Sequence, residues 1–347
     1  MANIANSVLY GVFALAAVGA GSLLNIIGPR ISILFACTGY PIYSGAMWYF
    51  SVTGNLWYPV FAGAYLGFAA ALLWTTAIFM ANAYAEENAK ARWRAVEWIF
   101  NMGGASIGAA VALGISWNAT TSSVPPSVYI TFIILQCCSS GFAFFVLPPD
   151  KLRRSDGTSL ARFNRLSIRD SLNITGKLFK DWRVLMLIPV MFTPEMFYPF
   201  QATINAVVFN LRTRTLNGLL NTLIQLPTTA LLAWIMDNQR FGSRKKRVII
   251  AITYNTLLVT GSYIAQTAWL RAWKFDISLP GPEIDFTDQA YRGAVVIYLF
   301  YAAQYGTFQS CVLYVLATFT NDLRKSAAIG GLYVGGEYLY SSQRNQI

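Results

Sequence analysis

The sequence predicts an all-α protein, a polytopic bundle of membrane-spanning helices arranged in two halves. Three observations carry that expectation. Hydrophobic residues fill 55 % of the 347 positions and charged residues only 12 %, against about 25 % charge in an average soluble domain. Nine apolar runs are each long enough to cross the hydrocarbon core, which takes about 20 residues per helix. A tight polar hairpin, Gly19–Leu34, joins the first two runs, and a second hairpin of the same kind lies far downstream.

The runs flanking the first hairpin are Ser7–Ile27 and Ile31–Val52. In the turn, Gly21 leaves room for close helix contact, Gly28-Pro29 reverses the chain, and Arg30 stands at the water boundary. Trp57–Tyr84 follows, with Gly63 and Gly67 as a small-x-x-x-small pair that permits close helix approach. The next segment, Y-A-E-E-N-A-K-A-R-W-R, reads as a solvated loop with local ion pairs. Ala95–Trp117 carries a further small-residue pair, Gly104 and Gly108. Beyond it, Asn118-Ala119-Thr120 is a glycosylation sequon in a polar loop. Val128–Leu147 ends the first half.

Pro148–Arg183 is the one long polar segment, with nine basic and four acidic residues. It reads as a cytosolic connection and contains a second sequon, Asn173-Ile174-Thr175, on the side where glycosylation does not occur. The second half holds Val184–Phe209, Leu216–Met236, Val248–Trp269 and Ala294–Thr318. The expected organisation is therefore a half bundle over 1–147, a loop over 148–183 and a half bundle over 184–347.

The net charge of +11 would suit a nucleic-acid binder, but its distribution points to orientation instead. Alternating sides along the spans puts 20 of the 26 Lys and Arg on the side of Arg30. Arg212, Arg214, Arg271, Lys274 and Arg292 fall on the other. The positive-inside rule makes Arg30's side cytosolic. The partner this implies is the lipid bilayer, of the plasma membrane or an endomembrane, and no nucleic acid.

Catalytic chemistry is thinly supplied. The chain has no histidine, which removes His-based triads and His-containing zinc sites. It has no phosphate-binding G-x-x-x-x-G-K-[ST] loop. Cys37, Cys137, Cys138 and Cys311 sit inside apolar spans without metal-type spacing and read as packing residues. No enzyme activity, metal or cofactor is expected.

The first hairpin, G-A-G-S-L-L-N-I-I-G-P-R, resembles the loop signature G-x-x-x-D-x-x-G-R of the major facilitator superfamily, with Asn25 in place of the acid and Pro29 inserted before Arg30. Asp237, Gly242 and Arg244 of the second hairpin echo Asn25, Gly28 and Arg30, as duplicated helical bundles require. The runs N-I-A-N-S-V-L-Y-G-V-F-A, L-L-W-T-T-A, W-I-F-N-M-G-G-A-S-I-G, F-N-L-R-T-R-T-L-N and Y-L-F-Y-A-A-Q-Y resemble the fungal members of the uncoordinated-ninety-three-like branch. The likeness extends from about Ala2 to Tyr333.

The resemblance implies a twelve-helix fold, so the expected bundle lacks the first helix and the last one to two. Ala327–Tyr340 reads as a short start of a further span. Asn25 is expected to cap the amides at the start of that helix. The resemblance leaves three roles open: alternating-access transport of a small solute or ion, regulation or trafficking of a partner membrane protein, and an inactive truncated fragment.

For transport, the strongest stretch is V-L-M-L-I-P-V-M-F-T-P-E-M-F-Y-P-F-Q-A-T-I-N. Glu195 falls near the middle of the span, where a carboxylate is costly unless paired or protonated. Pro189, Pro194 and Pro199 interrupt the helix around it, a pattern found at transporter binding sites. Tyr198, Ala202 and Asn205 follow at helical spacing. Tyr301, Gln304 and Tyr305, with Phe308, form a facing stripe in the ninth span. Arg212 and Arg214 are expected at the outer mouth, as anchors of a helix end before anion guides.

Overall fold

The computed structural model describes residues 2–86, 89–117, 126–147, 166–194, 198–273, 281–320 and 322–344. Among them the helices are α1 (Ala2–Ile27), α2 (Pro29–Cys37), α3 (Gly39–Thr53), α4 (Trp57–Ala83), α5 (Lys90–Ser116), α6 (Pro126–Phe142), α7 (Ile168–Leu178), α8 (Trp182–Met191), α9 (Tyr198–Val208), α10 (Leu211–Asp237), α11 (Arg244–Ala272), α12 (Tyr291–Ala317) and α13 (Leu323–Arg344). Among the described residues six stretches are long and apolar enough to span a membrane: Ile4–Ile27, Trp57–Ala83, Lys90–Ile115, Pro126–Phe145, Leu211–Asp237 and Arg244–Ala272. The protein is an integral, multi-pass membrane protein with an all-helical fold.

Two of the predicted spans are broken helices. Ile31–Val52 divides into α2 and α3 at Thr38. Pro41 has no amide to give the Cys37 carbonyl one turn earlier, and that carbonyl instead accepts from the Ser140 hydroxyl of α6 at 3.3 Å. Val184–Phe209 divides into α8 and α9 around Pro194, whose ring disfavours helical geometry in the residue before it. At the other end, α13 is 22 residues long, because the backbone stays helical through the polar Ser341–Arg344.

The chain forms two compact units. The first contains Met1–Glu87, Val124–Met196 and Val315–Ile347, and the second Asn88–Ser123 and Phe197–Tyr314. In the first unit α1 is gripped by α4 and α13. A side-chain carbon at Gly63 or Gly67 would collide with the carbonyls of Ala5 and Leu9, so these glycines bring α4 directly against the α1 backbone. Gly104 differs from its expected packing role. It is exposed on α5 and nothing lies within 4 Å of a carbon added there. Leu24, Phe79, Ala83 and Ala327 form a core where α1, α4 and α13 meet.

The polar connection is helical in part: α7 begins at Ser167, whose hydroxyl accepts from the Asp170 amide at 3.2 Å. It lies against α1, where Thr175 and Ser22 share a hydrogen bond of 3.0 Å and the Ser171 hydroxyl donates to the Ser22 carbonyl.

In the second unit α5 lies along α10. The last part of the segment expected as a solvated loop, Lys90–Arg94, is in fact the first turn of α5, with Lys90 5 % and Arg94 2 % exposed while Arg92 and Trp93 face outward. A second core gathers Val208, Phe209, Ile284 and Tyr291 around the end of α9. Of the cysteines, Cys311 is buried, while Cys137 and Cys138 stand on the exposed face of α6.

Candidate functional site

The two hairpins are built alike and bonded differently. Both turn on a glycine with positive φ, 85° at Gly28 and 98° at Gly242, a conformation that side chains bearing Cβ resist. Arg30 donates to the Phe144 carbonyl at 2.9 Å, closing the end of the α6 segment. Arg244 lies over the Tyr314 ring at 5.6 Å. Asp237 accepts from the backbone amides of Ala91 and Arg92 at 3.3 and 2.7 Å, which caps α5. Asn25 was expected to do the same for α13 but has the opposite polarity. Its amide donates to the Arg324 carbonyl at 3.1 Å. One orphan donor of that helix start, the Arg324 amide, is already taken by Asp322 at 3.0 Å.

Within the second unit, α10 is polar on the inside. Thr213, Asn217, Asn221, Gln225 and Thr229 recur every fourth residue and are all buried. Leu211, Leu223, Leu231 and Trp234 lie on its exposed side. In a bilayer the apolar face belongs to lipid, and buried polar groups find partners on neighbouring helices. Those partners are specific. The Trp98 indole of α5 donates to Gln225 at 3.1 Å, and Ser106 and Thr222 are 2.8 Å apart. Tyr291 of α12 donates to Asn217 at 2.7 Å, and Asn217 donates to Asn205 of α9 at 2.9 Å.

Beside this seam lies a small cavity of about 10 Å³ walled by α9, α11 and α12, room for about one water. Phe200, Gln201, Gln266, Trp269, Tyr298 and Tyr301 line it. Gln201 spends its amide on the Tyr298 carbonyl at 3.2 Å. Gln266 is 6 % exposed, and its Nε2 has no hydrogen-bond partner among the described residues. A buried amide left that way loses the hydration it had in water, at a cost of about 1–3 kcal/mol. Tyr301 packs edge-on to Tyr263 at 5.2 Å and against Phe200 at 6.1 Å.

The sequence candidates are therefore only partly brought together. Tyr301 lines the cavity. Gln304 is one helical turn away and accepts from Ser262 at 3.0 Å. Tyr305 faces α5 instead, with its ring 5.4 Å from Trp98. Asn205 belongs to the seam, bonded to Asn217 and at 3.5 Å to the Arg214 carbonyl. Tyr198 opens α9. Glu195 and the sequon residue Asn118 lie outside the described residues.

Several residues escaped sequence reasoning. Gln201 and Gln266 carry no motif. The four-residue polar repeat of α10 was the available signal, masked by the leucines between. Arg94 and Glu97 form an ion pair on α5, and the guanidinium lies 5.3 Å over Trp98. At the far end of α10, Arg212 bonds Asp285 at 2.5 Å and Arg214 donates to the Phe209 carbonyl at 2.5 Å. Both arginines anchor the helix start. The Arg212 guanidinium, aided by Asn210 and Thr287, holds the Asp285 carboxyl well below its ordinary value.

Comparison with known proteins gives one consistent picture. The sequence model of the family described as ion channel regulatory protein UNC-93 matches residues 3–260. A membrane protein of Schizosaccharomyces pombe is 34 % identical over 336 residues, covering 96 % of this chain and 68 % of that protein. UNC93-like protein 1 of Arabidopsis thaliana is 28 % identical over 96 % of this chain and 73 % of its own length. Among solved structures, the xylose transporter XylE from E. coli superposes with a TM-score of 0.65 at 15 % identity, covering 99 % of this chain and 81 % of that one. The E. coli fucose:proton symporter FucP gives a TM-score of 0.61 at 12 % identity, covering 98 % and 82 %. The fold is that of the major facilitator superfamily.

Proposed function

The chain belongs to the UNC-93 family, and from that premise we propose that it carries a small solute or ion across the membrane by alternating access of its two halves, 1–147 and 184–347. The observation that supports this best is the Gln266 Nε2, buried without a hydrogen-bond partner among the described residues, at a cavity shared with Gln201 and Tyr301. Gln225, by contrast, has both ends of its amide bonded, to Trp98 and to the Asn221 carbonyl. A polar group held ready at a cavity suits a passing ligand.

Glu195 is the proposed proton-coupling acid. It stands between α8 and α9 in sequence, next to Pro194, and interrupted helices of this kind supply transporter sites. Tyr198, Asn205, Gln304 and Tyr305 complete the proposed polar path on α9 and α12. The test is flux into vesicles reconstituted with the purified chain, at acid and neutral pH. Glu195→Gln should remove the pH dependence of uptake while leaving the amount of protein in the membrane unchanged. Uptake that stays pH-dependent in the variant would take Glu195 out of the mechanism.

A second reading follows from the description of the family as ion channel regulators. There the chain acts on a partner membrane protein and needs no ligand path. The cavity of about 10 Å³ is too small for a solute without a change of conformation, which favours this reading. Vesicles that show no flux, together with a membrane protein that co-purifies with the chain, would decide for the regulator.

A further inference from the structure

In the first unit, a groove of about 250 Å³ opens where α7, α8 and α13 converge. Three cations border it, Lys177 at the end of α7, Arg183 at the start of α8 and Lys325 at the start of α13. Its apolar wall is Ile174, Leu178 and Ile329. The single acid, Asp181, is taken up by Arg183, with its Oδ2 2.7 Å from the guanidinium. Among the described residues neither Lys177 nor Lys325 forms an ion pair. The groove is thus left with an excess of positive charge beside apolar carbon.

A second observation fixes the setting. Ser171, Thr175 and Leu178 turn α7 onto the unit, but Ile168, Leu172 and Phe179 are 66, 56 and 43 % exposed. Spaced four and seven apart, these three fall on one stripe of a helix. Trp182, 67 % exposed, follows at the head of α8. The basic Arg169, Lys177 and Lys180 occupy the other side of the same stretch. An apolar stripe with basic residues opposite is the pattern of a helix lying in the bilayer interface. The Asn25 carbonyl accepts the Leu166 amide at 3.1 Å, so this stretch sits at the hairpin end of α1, the end the lysines and arginines assign to the cytosol.

We propose that the groove between α7, α8 and α13 binds the headgroup of an anionic phospholipid of the cytosolic leaflet, its phosphate held by Lys177 and Lys325 beside the Asp181-bound Arg183 and its chains lying along Ile174, Leu178 and Ile329. The juxtaposition of two lysines outside any ion pair with the apolar groove wall, on a segment whose exposed stripe lies in the bilayer interface, selects a charged lipid over either a soluble anion or a neutral lipid. Basic residues near an anionic membrane surface each add measurably to binding.

The experiment uses the full chain purified in neutral detergent and a fluorescent short-chain phosphatidylserine, with the phosphatidylcholine analogue as the neutral control. The expected result is preferential binding of the serine lipid, weakened about tenfold or more when Lys177, Arg183 and Lys325 are all changed to Gln. Millimolar inorganic phosphate should leave binding unchanged. Equal affinity for the neutral lipid, displacement by phosphate, or unaltered binding in the triple variant would each overturn the proposal. Should the triple variant not elute as a folded species, Lys325→Glu alone, exposed at a helix start, is expected to weaken binding, and unchanged affinity there is equally decisive.

Discussion

The carboxylate of Asp237, at the end of α10, accepts the backbone amide of Arg92 at 2.7 Å and so caps the start of α5 across the helix pair. Asn25, its counterpart in the first hairpin, meets a carbonyl of α13 instead. Substitution at the two positions should therefore cost stability for different reasons. Asp237→Ala removes a cap and is expected to lower stability by about 0.5–2 kcal/mol, with Asp237→Asn milder. Asn25→Asp restores the residue usual in the superfamily signature, yet it turns an oxygen toward the Arg324 carbonyl in a site 1 % exposed. A loss of about 1–3 kcal/mol is expected. Thermal unfolding in detergent measures both, and an Asn25→Asp protein as stable as the parent would contradict the assigned polarity.

Gly67 lets α4 meet the α1 backbone. A Cβ there would lie against the Leu9 carbonyl and 3.0 Å from the Phe13 amide nitrogen, and main chain cannot rotate away. Gly67→Val should cost at least about 1–3 kcal/mol through overpacking. Gly114→Val, with nothing within 4 Å of the added carbon, is the matched control. Monodisperse yield of both variants checks the difference.

Asp285 makes stability depend on acid. Its folded carboxyl titrates below the ordinary 3.8, chiefly through the Arg212 hydrogen bond. A carboxyl depressed on folding adds stability that is whole above its unfolded value and fades as pH falls toward the folded one. The unfolding temperature should thus decline below about pH 4, and Asp285→Asn should flatten part of that decline while lowering stability at neutral pH. Asp181, depressed by its bond to Arg183, contributes with the same sign. A parent protein whose unfolding temperature rises on acidification would refute the assignment.

Gln266 separates binding from packing. Replacing an unbonded buried amide by leucine removes a desolvated polar group, so Gln266→Leu should hold or raise the unfolding temperature. If the cavity serves transport, the same change should cut flux about tenfold or more through loss of a ligand hydrogen bond. Flux equal to the parent would leave the amide without a transport role.

The fold was largely legible. Gly28-Pro29-Arg30 and its echo at Gly242 and Arg244 state two turns whose backbone only glycine tolerates well, and long apolar runs state what lies between. The break at Pro194 was announced by the prolines around it, whereas the one at Thr38 was less legible, since composition reads straight across it. The site was harder. Tyr301 was found because phenols and an amide shared a helical stripe. That stripe then proved to address three different neighbours, because residues three or four apart on a helix diverge by tens of degrees. Gln266 and Gln201 became visible only when three helices were brought together. The α7 stripe was hidden in a segment whose average is polar, although its pattern is amphipathic.

The five polar side chains inside α10 also bear on how the protein is made. A helix carrying Thr213, Asn217, Asn221, Gln225 and Thr229 enters lipid less readily by itself, since the interhelical partners of Asn217 and Gln225 are absent there. When α10 leaves the ribosome, Tyr291 has yet to be synthesised, whereas Trp98 and Ser106 of α5 are already in place. Nascent α10 is then expected to be retained at the insertion machinery until α5 receives it. The buried seam that joins these helices in the finished protein sets an order of events during its biogenesis, with the earlier helix serving as the template for the later one.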